Sequence, residues 1–211
     1  MAFPYTRKRS PHARGNERRR LLLDCARQLL AERELDGVSL GDVAARARVP
    51  KGSAYHFYAD IQDLYAALLA ELQRELLVVL SRPIRARIDG WQDVVRALTR
   101  RGAGFYLDNA AARQLQIGPK TPPQLKLSDR RSDAAIAALF EREIGRRFRL
   151  PPVSGLPQVF FRAVEIADVM FSLSVLEHGT VTTAMCREAE RAAIAYLETY
   201  LPARLERRRS T

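Results

Sequence analysis

Hydrophobic residues recur at helical spacing along almost the whole chain, and polar or helix-breaking residues divide them into segments. The first stripe is Leu22, Ala26, Leu29 and Leu30, with Asn16 placed to cap its helix and Asp36-Gly37 to end it. We find no stretch of useful length with the period of two that is typical of strands. The pattern therefore predicts an all-α protein.

Two short helical patterns follow, with a break between them that is too short to be a linker. Ser39 can cap the first, in which Leu40, Val43, Ala44 and Ala47 share one face. Pro50 disfavours helix in the residue before it and fits the first turn of a new helix. Two short helices with a tight turn form a helix-turn-helix, whose second helix enters the DNA major groove.

A longer helix is predicted from an N-cap at Asp60, with Asp63 as capping partner. Its leucines recur every four residues from Leu64 to Leu80, so it is too long for a small DNA-binding domain and should connect to the rest of the chain. We predict a flexible basic arm at 1–15, a three-helix DNA-binding domain at 16–62, and a further helical domain at 63–211.

The C-terminal half reads as five further helices separated by two Pro-rich loops. We predict helices at 91–109, 110–117, from 124 or 128 to 148, 158–178, and from about 181 to 205. The helix at 158–178 is apolar nearly all round, so it should be buried on more than one side. Together with the last helix it could pair with the same helices of a second copy, giving a two-fold four-helix interface. An ordinary intramolecular core is the other interpretation.

Charge favours a polyanionic partner. The 211-residue chain carries a net charge of +11 and a pI near 10.3. Seven of the first 20 residues are Arg or Lys, against one Glu. Arg7, Lys8 and Arg9 could follow the DNA backbone or enter the minor groove, although a merely solubilising tail is the alternative.

Other classes of protein find little support. No run of 18 apolar residues and no signal-like apolar segment occurs, which fits a cytoplasmic protein without membrane contact. Cys25 and Cys186 suggest neither a disulfide framework nor a metal site. The three histidines pair with no nucleophile, and neither a Walker loop nor an HExxH motif is present. We therefore expect no enzyme, no cofactor and no metal.

The helix-turn-helix supplies the candidate DNA-binding residues. Its second helix carries donors that reach base edges and phosphates, and small residues that allow close approach to the backbone. We expect side chains of the second helix to read base edges and to hold the DNA, and residues around that helix to contact phosphates. The full set is Ser39, Arg48, Lys51, Gly52, Ser53, Tyr55, His56 and Tyr58. Packing in the core is an equal alternative for Tyr58.

This stretch resembles the DNA-binding region of the TetR family of bacterial regulators. The resemblance lies in Val38-Ser39-Leu40, Asp42-Val43-Ala44, Ala47-x-Val49, Lys51-Gly52-Ser53-x-Tyr55-His56-x-Tyr58 and Asp63-Leu64. Two positions depart from the pattern, because Arg48 replaces a frequent Gly in the turn and Ile61 replaces a frequent Lys. The resemblance implies a homodimer through the last two long helices, binding a DNA operator, and an effector cavity in the C-terminal half. It therefore implies that the helical domain at 63–211 is a ligand-sensing and dimerisation domain.

The residues that could line that cavity are aromatic residues, one methionine, and two acidic residues within an apolar helix. They are Trp91, Phe105, Tyr106, Phe140, Phe161, Glu165, Asp168, Met170 and Phe171. Each apolar one could equally be core. Glu165 and Asp168 could pair with Arg162, pair across the dimer, form a solvated stripe, or meet a cationic ligand.

The interpretation that follows is a ligand-responsive regulator. Repression is favoured because a compact dimer on a palindromic operator can occlude polymerase, and an unidentified small molecule would release it. A helical protein-interaction bundle, or an activator without small-molecule induction, is the alternative.

Overall fold

The computed structural model describes residues 11–208, with side chains described from residue 15 onward. This part of the chain contains nine α-helices, and its extended pairing is limited to one isolated antiparallel bridge between Phe148 and Arg207. The helices are α1 (Pro11–Glu32), α2 (Leu40–Arg46), α3 (Lys51–Phe57), α4 (Ile61–Leu80), α5 (Trp91–Asp108), α6 (Ala110–Gln116), α7 (Pro123–Gly145), α8 (Leu156–His178) and α9 (Thr183–Glu198). The all-α prediction is confirmed.

The chain divides into two compact units that meet inside α4, between Leu68 and Leu69. We predicted the boundary at 62, six residues earlier. The difference arises because Leu64, Tyr65 and Leu68 are buried and belong to the N-terminal unit. The hydroxyl of Tyr65 also donates a hydrogen bond of 2.9 Å to the carbonyl oxygen of Leu35 in the same unit.

The N-terminal unit packs α1, α2 and α3 against one another. Leu22, Val43 and Ala54, one from each helix, are fully buried at its centre. Close approach of α2 and α3 is possible because the side chains between them are small, as at Ala44 and Ala54. The three-helix arrangement with a helix-turn-helix therefore appears where the sequence predicts it.

The first helix begins earlier than predicted. We expected Asn16 to cap it, but α1 starts at Pro11 and Asn16 lies inside the helix. A proline is tolerated in the first turn because the N–H it lacks would have no helical partner there. Part of the predicted arm is thus helical, and residues 1–10, including the predicted contacts at Arg7, Lys8 and Arg9, lie outside the described residues.

A reciprocal capping box begins α2. The amide of Asp42 donates to Ser39 Oγ at 3.1 Å, and the amide of Ser39 donates to Asp42 Oδ2 at 2.8 Å. The hydrogen bonds from Ser39 hold the pKa of the Asp42 carboxyl below its usual range. Two backbone amides are satisfied in this way at the start of a helix of only seven residues.

We expect Ser39→Ala to lower the free energy of unfolding by about 1 kcal/mol, because the amide of Asp42 loses its acceptor. Ser81→Ala, an exposed serine after α4, serves as the matched control. Chemical denaturation compares the three proteins. Equal stability of Ser39→Ala and the control would show that the capping box contributes nothing.

In the C-terminal unit, α8 packs mainly against α7 and α9, and α5 also packs against α9. Trp91 at the start of α5 is fully buried, and its indole Nε1 donates to the carbonyl oxygen of Pro202 at 2.9 Å. This contact fastens the segment after α9 to α5. We predicted burial of α8 on more than one side, but Val159, Phe160 and Phe171 lie on one buried face, and Val169, Leu173 and Leu176 on another face are exposed.

The last helix is shorter than predicted. It ends at Glu198, whereas we expected it to reach about residue 205. Pro202 cannot donate a helical hydrogen bond, and the chain beyond it extends back along residues 147–149. There the amide of Arg149 donates to Glu206 and the amide of Arg208 donates to Arg147, each at 2.8 Å.

Candidate nucleic-acid interface and ligand cavity

One face of α3 is polar and open to solvent. Lys51, Gly52 and His56 are exposed, the ring of Tyr55 is 47% exposed, and Ser53 is half-buried. The opposite face is fixed by Ala54, which is fully buried. Burial of this one small residue turns the candidate donors outward together.

The exposed side chains of α3 also lie near each other. The ammonium nitrogen of Lys51 is 5.9 Å from the centroid of the Tyr55 ring, within the range of a cation–π contact. The ring of His56 packs edge-on against Phe57, with centroids 5.6 Å apart. The surface thus combines a cation, a phenol and an imidazole on two turns of helix, all able to donate hydrogen bonds to nucleic acid.

The turn before α3 has a left-handed residue at Arg48. Its φ is 53°, and within the described residues it is the one non-glycine with a positive φ. Its amide donates to the carbonyl of Ala45 at 3.1 Å, and the next amide, of Val49, donates to Ala44 at 3.0 Å. These bonds close the end of α2 and leave the Arg48 side chain exposed. The departure from the usual glycine therefore places a cation beside α3 at the cost of backbone strain.

We expect Arg48→Gly to raise the free energy of unfolding by about 0.5 to 1 kcal/mol, because glycine adopts a left-handed conformation without a Cβ clash. Arg48→Ala removes the same charge and keeps the strain, so it should leave stability nearly unchanged. Chemical denaturation at matched salt distinguishes the two variants. A glycine variant less stable than the alanine variant would contradict the strain.

The structure does not bear out Tyr58 as a phosphate contact. Its side chain is 4% exposed and belongs to the core of the N-terminal unit. The guanidinium carbon of Arg19 lies 5.9 Å from the centroid of its ring and 5.8 Å from that of Phe57. Burial follows from the position of Tyr58 directly after α3, where the chain turns back toward α4.

A second candidate site is a cavity inside the C-terminal unit. Its free volume is about 40 Å³, and the space between its lining atoms, with open solvent included, is about 410 Å³. The walls are mostly aliphatic and aromatic, and four of the residues that we predicted lie there: Tyr106, Phe140, Asp168 and Phe171. The lining also includes the polar side chains of Thr99, Asp133 and Asp168. An apolar cavity with a few polar groups is typical of a small-molecule site.

The other predicted wall residues do not line this cavity. Trp91 and Phe105 are core side chains, and Phe161 and Met170 lie partly buried elsewhere on α8. Glu165 is near the cavity without lining it.

Glu165 pairs with Arg130 of α7, its oxygen 3.2 Å from the guanidinium nitrogen. Arg162 was one of the partners that the sequence left open. That residue instead interacts with Tyr196, whose hydrogen bond raises the pKa of the Arg162 guanidinium.

The prediction missed two carboxylates on α7, Asp129 and Asp133, which are both buried. A signal for them existed, because they continue the helical stripe that contains Leu125, Ile136 and Phe140. Burial raises the pKa of both carboxyls, and the pKa of Asp133 is raised further by the charges of Asp168 and Asp129. Burial likewise raises the pKa of Asp168 to about 8.

The described residues contain no helix that is both long enough and apolar enough to cross a membrane. Within the same residues, no group of three or more His, Cys, Asp or Glu side chains is arranged to hold a metal ion.

The fold and the exposed α3 define a helix-turn-helix DNA-binding protein. The family model for "Bacterial regulatory proteins, tetR family" matches residues 22–68, and the model for "Tetracyclin repressor-like, C-terminal domain" matches residues 89–201. The chain belongs to the TetR family of transcriptional regulators. Members of this family bind DNA, act as dimers and are in general not enzymes. No curated protein matches the chain.

Solved structures of TetR-family regulators share the fold. One from Streptomyces coelicolor is 26% identical, covers 87% of this chain and 99% of its own, and has a TM-score of 0.63. One from Rhodococcus sp. RHA1 is 19% identical, covers 88% and 97%, and has a TM-score of 0.64. A third, from Mesorhizobium loti, is 15% identical, covers 89% and 98%, and has a TM-score of 0.60.

Proposed function

We propose that the protein is a repressor that binds a palindromic operator as a homodimer and is released by a small molecule. The observation that carries the proposal is the polar, exposed face of α3 above the buried Ala54. Lys51, Tyr55 and His56 stand on that face, where a recognition helix needs donors. Ser53 adds a half-buried hydroxyl, and Gly52 leaves room for a phosphate.

The surroundings of α3 fit a role in holding the DNA backbone. Arg48 is exposed in the preceding turn, and Ser39 is exposed at the N-terminus of α2. A helix N-terminus offers unpaired amides and a partial positive charge to a phosphate. We assign these two residues to backbone contacts that set the register, and the side chains of α3 to the reading of base edges.

We assign the dimer interface to α8 and α9. Val169, Leu173 and Leu176 lie at helical spacing along α8 and are 45%, 38% and 63% exposed. Tyr200, just after α9, is 39% exposed. A row of exposed apolar residues on adjacent helices favours a two-fold interface, which would place two recognition helices on the two half-sites of a palindrome.

The test of DNA recognition uses fragments of the protein's own genomic neighbourhood. We expect tight binding to one near-palindromic site, and we expect Tyr55→Ala to weaken it at least about tenfold through lost base contacts. Lys51→Ala should weaken binding to all fragments and reduce the salt slope by about one. Fluorescence anisotropy over a series of salt concentrations measures both effects.

Arg85→Ala is the charge-matched control, because it removes one exposed cation from the C-terminal unit. Its affinity and salt slope should remain close to those of the unsubstituted protein. Equal, weak binding to every fragment, unaffected by Tyr55→Ala or Lys51→Ala, would refute the proposal for α3.

For the dimer, we expect Leu173→Glu combined with Leu176→Glu to produce a monomer, because two buried charges without partners oppose association. Leu107→Glu, which alters an exposed leucine on α5, should leave the dimer intact. Sedimentation equilibrium at micromolar concentration measures the mass. A dimer that survives the double substitution would place the interface elsewhere.

A further inference from the structure

Four carboxyl side chains converge where α7 packs on α8. Asp129 and Asp133 stand one turn apart on α7, and Glu165 and Asp168 stand three residues apart on α8. Asp133 and Asp168 line the same cavity, and Glu165 is hydrogen-bonded to Asp133, so the two pairs lie close together. Asp129 and Asp133 are buried and Glu165 and Asp168 are half-buried, and carboxylates removed from water are costly unless something compensates their charge.

The cations of the protein that lie near these four carboxyls do not balance their negative charge. Arg130 pairs with Glu165, but its side chain is 62% exposed, so water screens it. Lys126 is also exposed and acts on Asp168 at longer range. Two exposed cations thus face four carboxyls. Burial raises the pKa values of Asp129, Asp133 and Asp168, and repulsion between carboxylates raises those of Asp133 and Asp168 further. Protons on Asp133 and Asp168 therefore supply the remaining compensation.

Unused hydrogen-bonding atoms lie beside these carboxyls. Thr99 is 3% exposed and lines the cavity, and its Oγ1 has no hydrogen-bond partner among the described residues. Gln116 is 4% exposed, and its Oε1 is likewise without a partner there. Glu165 Oε1 is a third such atom. Of the three residues, Thr99 lines the cavity, and its hydroxyl can accept a hydrogen bond from an occupant.

The rest of the cavity wall is apolar. Leu98, Phe140, Phe171 and Tyr106 surround the space, and Asp133 and Asp168 enter it from one side. The Tyr106 and Phe171 rings meet edge to face, with centroids 5.9 Å apart. An occupant that matches both regions carries a positively charged N–H group at one end and an apolar body at the other.

We propose that the effector of this regulator is a protonated organic amine with an apolar, preferably aromatic, body, whose ammonium group is held by Asp168 and Asp133. The inference rests on the proposed function, because it names the chemical class of the effector. A neutral ligand could donate hydrogen bonds but would bring no positive charge to the carboxyl cluster. An anionic ligand would be repelled by the same carboxyls.

The amine binds by replacing protons. In the empty site Asp168 and Asp133 are largely protonated below about pH 8. An ammonium ion favours the ionised carboxylates, so its binding releases protons and its affinity rises with pH. The rise stops once the carboxyls are ionised in the empty protein, while an alkylammonium stays charged to about pH 9 or above.

Asp129 connects this site to other helices. Its Oδ1 accepts hydrogen bonds from Gln73 of α4 at 2.9 Å and from Gln116 of α6 at 3.0 Å. A cation that joins the cluster lowers the pKa of Asp129 and strengthens it as an acceptor. The ammonium group therefore acts on a side chain of α4, the helix whose first residues belong to the N-terminal unit.

Isothermal titration calorimetry of the full-length dimer with phenethylamine, tryptamine, phenethyl alcohol and phenylacetate tests the proposal. We expect dissociation constants below about 1 mM for at least one amine, at least about tenfold weaker binding of the alcohol, and no binding of the acid. Repeating the titration in buffers of different ionisation enthalpy should show proton release at pH 7 that decreases as the pH rises through the pKa values of Asp168, about 8, and Asp133, about 9.

Asp168→Asn and Asp133→Asn keep the shape of the protonated carboxyl, so both variants should fold. Each should weaken amine binding at least about tenfold and abolish the proton release. Asp108→Asn, an exposed carboxyl at the end of α5, is the control and should change neither. The proposal is overturned if the alcohol binds as well as the amines, if neither amine binds, or if both Asn variants bind amine normally.

Adding the same compounds to the protein–operator complex separates this inference from the proposed function. Release of operator by an amine supports both. Amine binding without release supports the site and contradicts its role as the effector site. Release by phenethyl alcohol or phenylacetate, but by neither amine, supports ligand-controlled DNA binding and overturns the assignment of an amine.

Discussion

The recognition helix is too short to stand alone, and this constraint shapes the N-terminal unit. Helices α2 and α3 have seven residues each, and isolated helices of that length are not stable in water. Their order comes from burial of small side chains such as Ala54, from the capping box at Ser39, and from the turn at Arg48. The exposed donors of α3 are therefore held in position by the packing on its buried side. Changes to that packing alter DNA recognition indirectly.

Much of this unit could be predicted from the sequence because its signals are local. A cap, a helical stripe and a proline break lie within about 20 residues, and each has a direct physical meaning. The burial of Tyr58 could not be read in this way. It depends on how the chain turns toward α4 and on Arg19, which is 39 positions earlier in the sequence.

Prediction was weaker in the C-terminal unit, where the relevant neighbours come from different helices. Tyr106, Phe140 and Asp168 were candidate wall residues and do line the cavity, but periodicity could not separate cavity walls from core residues such as Trp91 and Phe105. Asp129 and Asp133 were overlooked because charged residues are ordinarily assigned to the surface. Their position on the apolar stripe of α7 was the available clue.

The contact between the indole of Trp91 and the carbonyl of Pro202 also has a spectroscopic consequence. Trp91 is the single tryptophan of the chain, it is fully buried, and it lies in the C-terminal unit. Its fluorescence therefore reports on that unit alone, while far-ultraviolet circular dichroism reports on the helices of both units. Comparing the two signals during unfolding reveals whether the DNA-binding unit melts separately from the unit that contains the cavity, without any label being introduced.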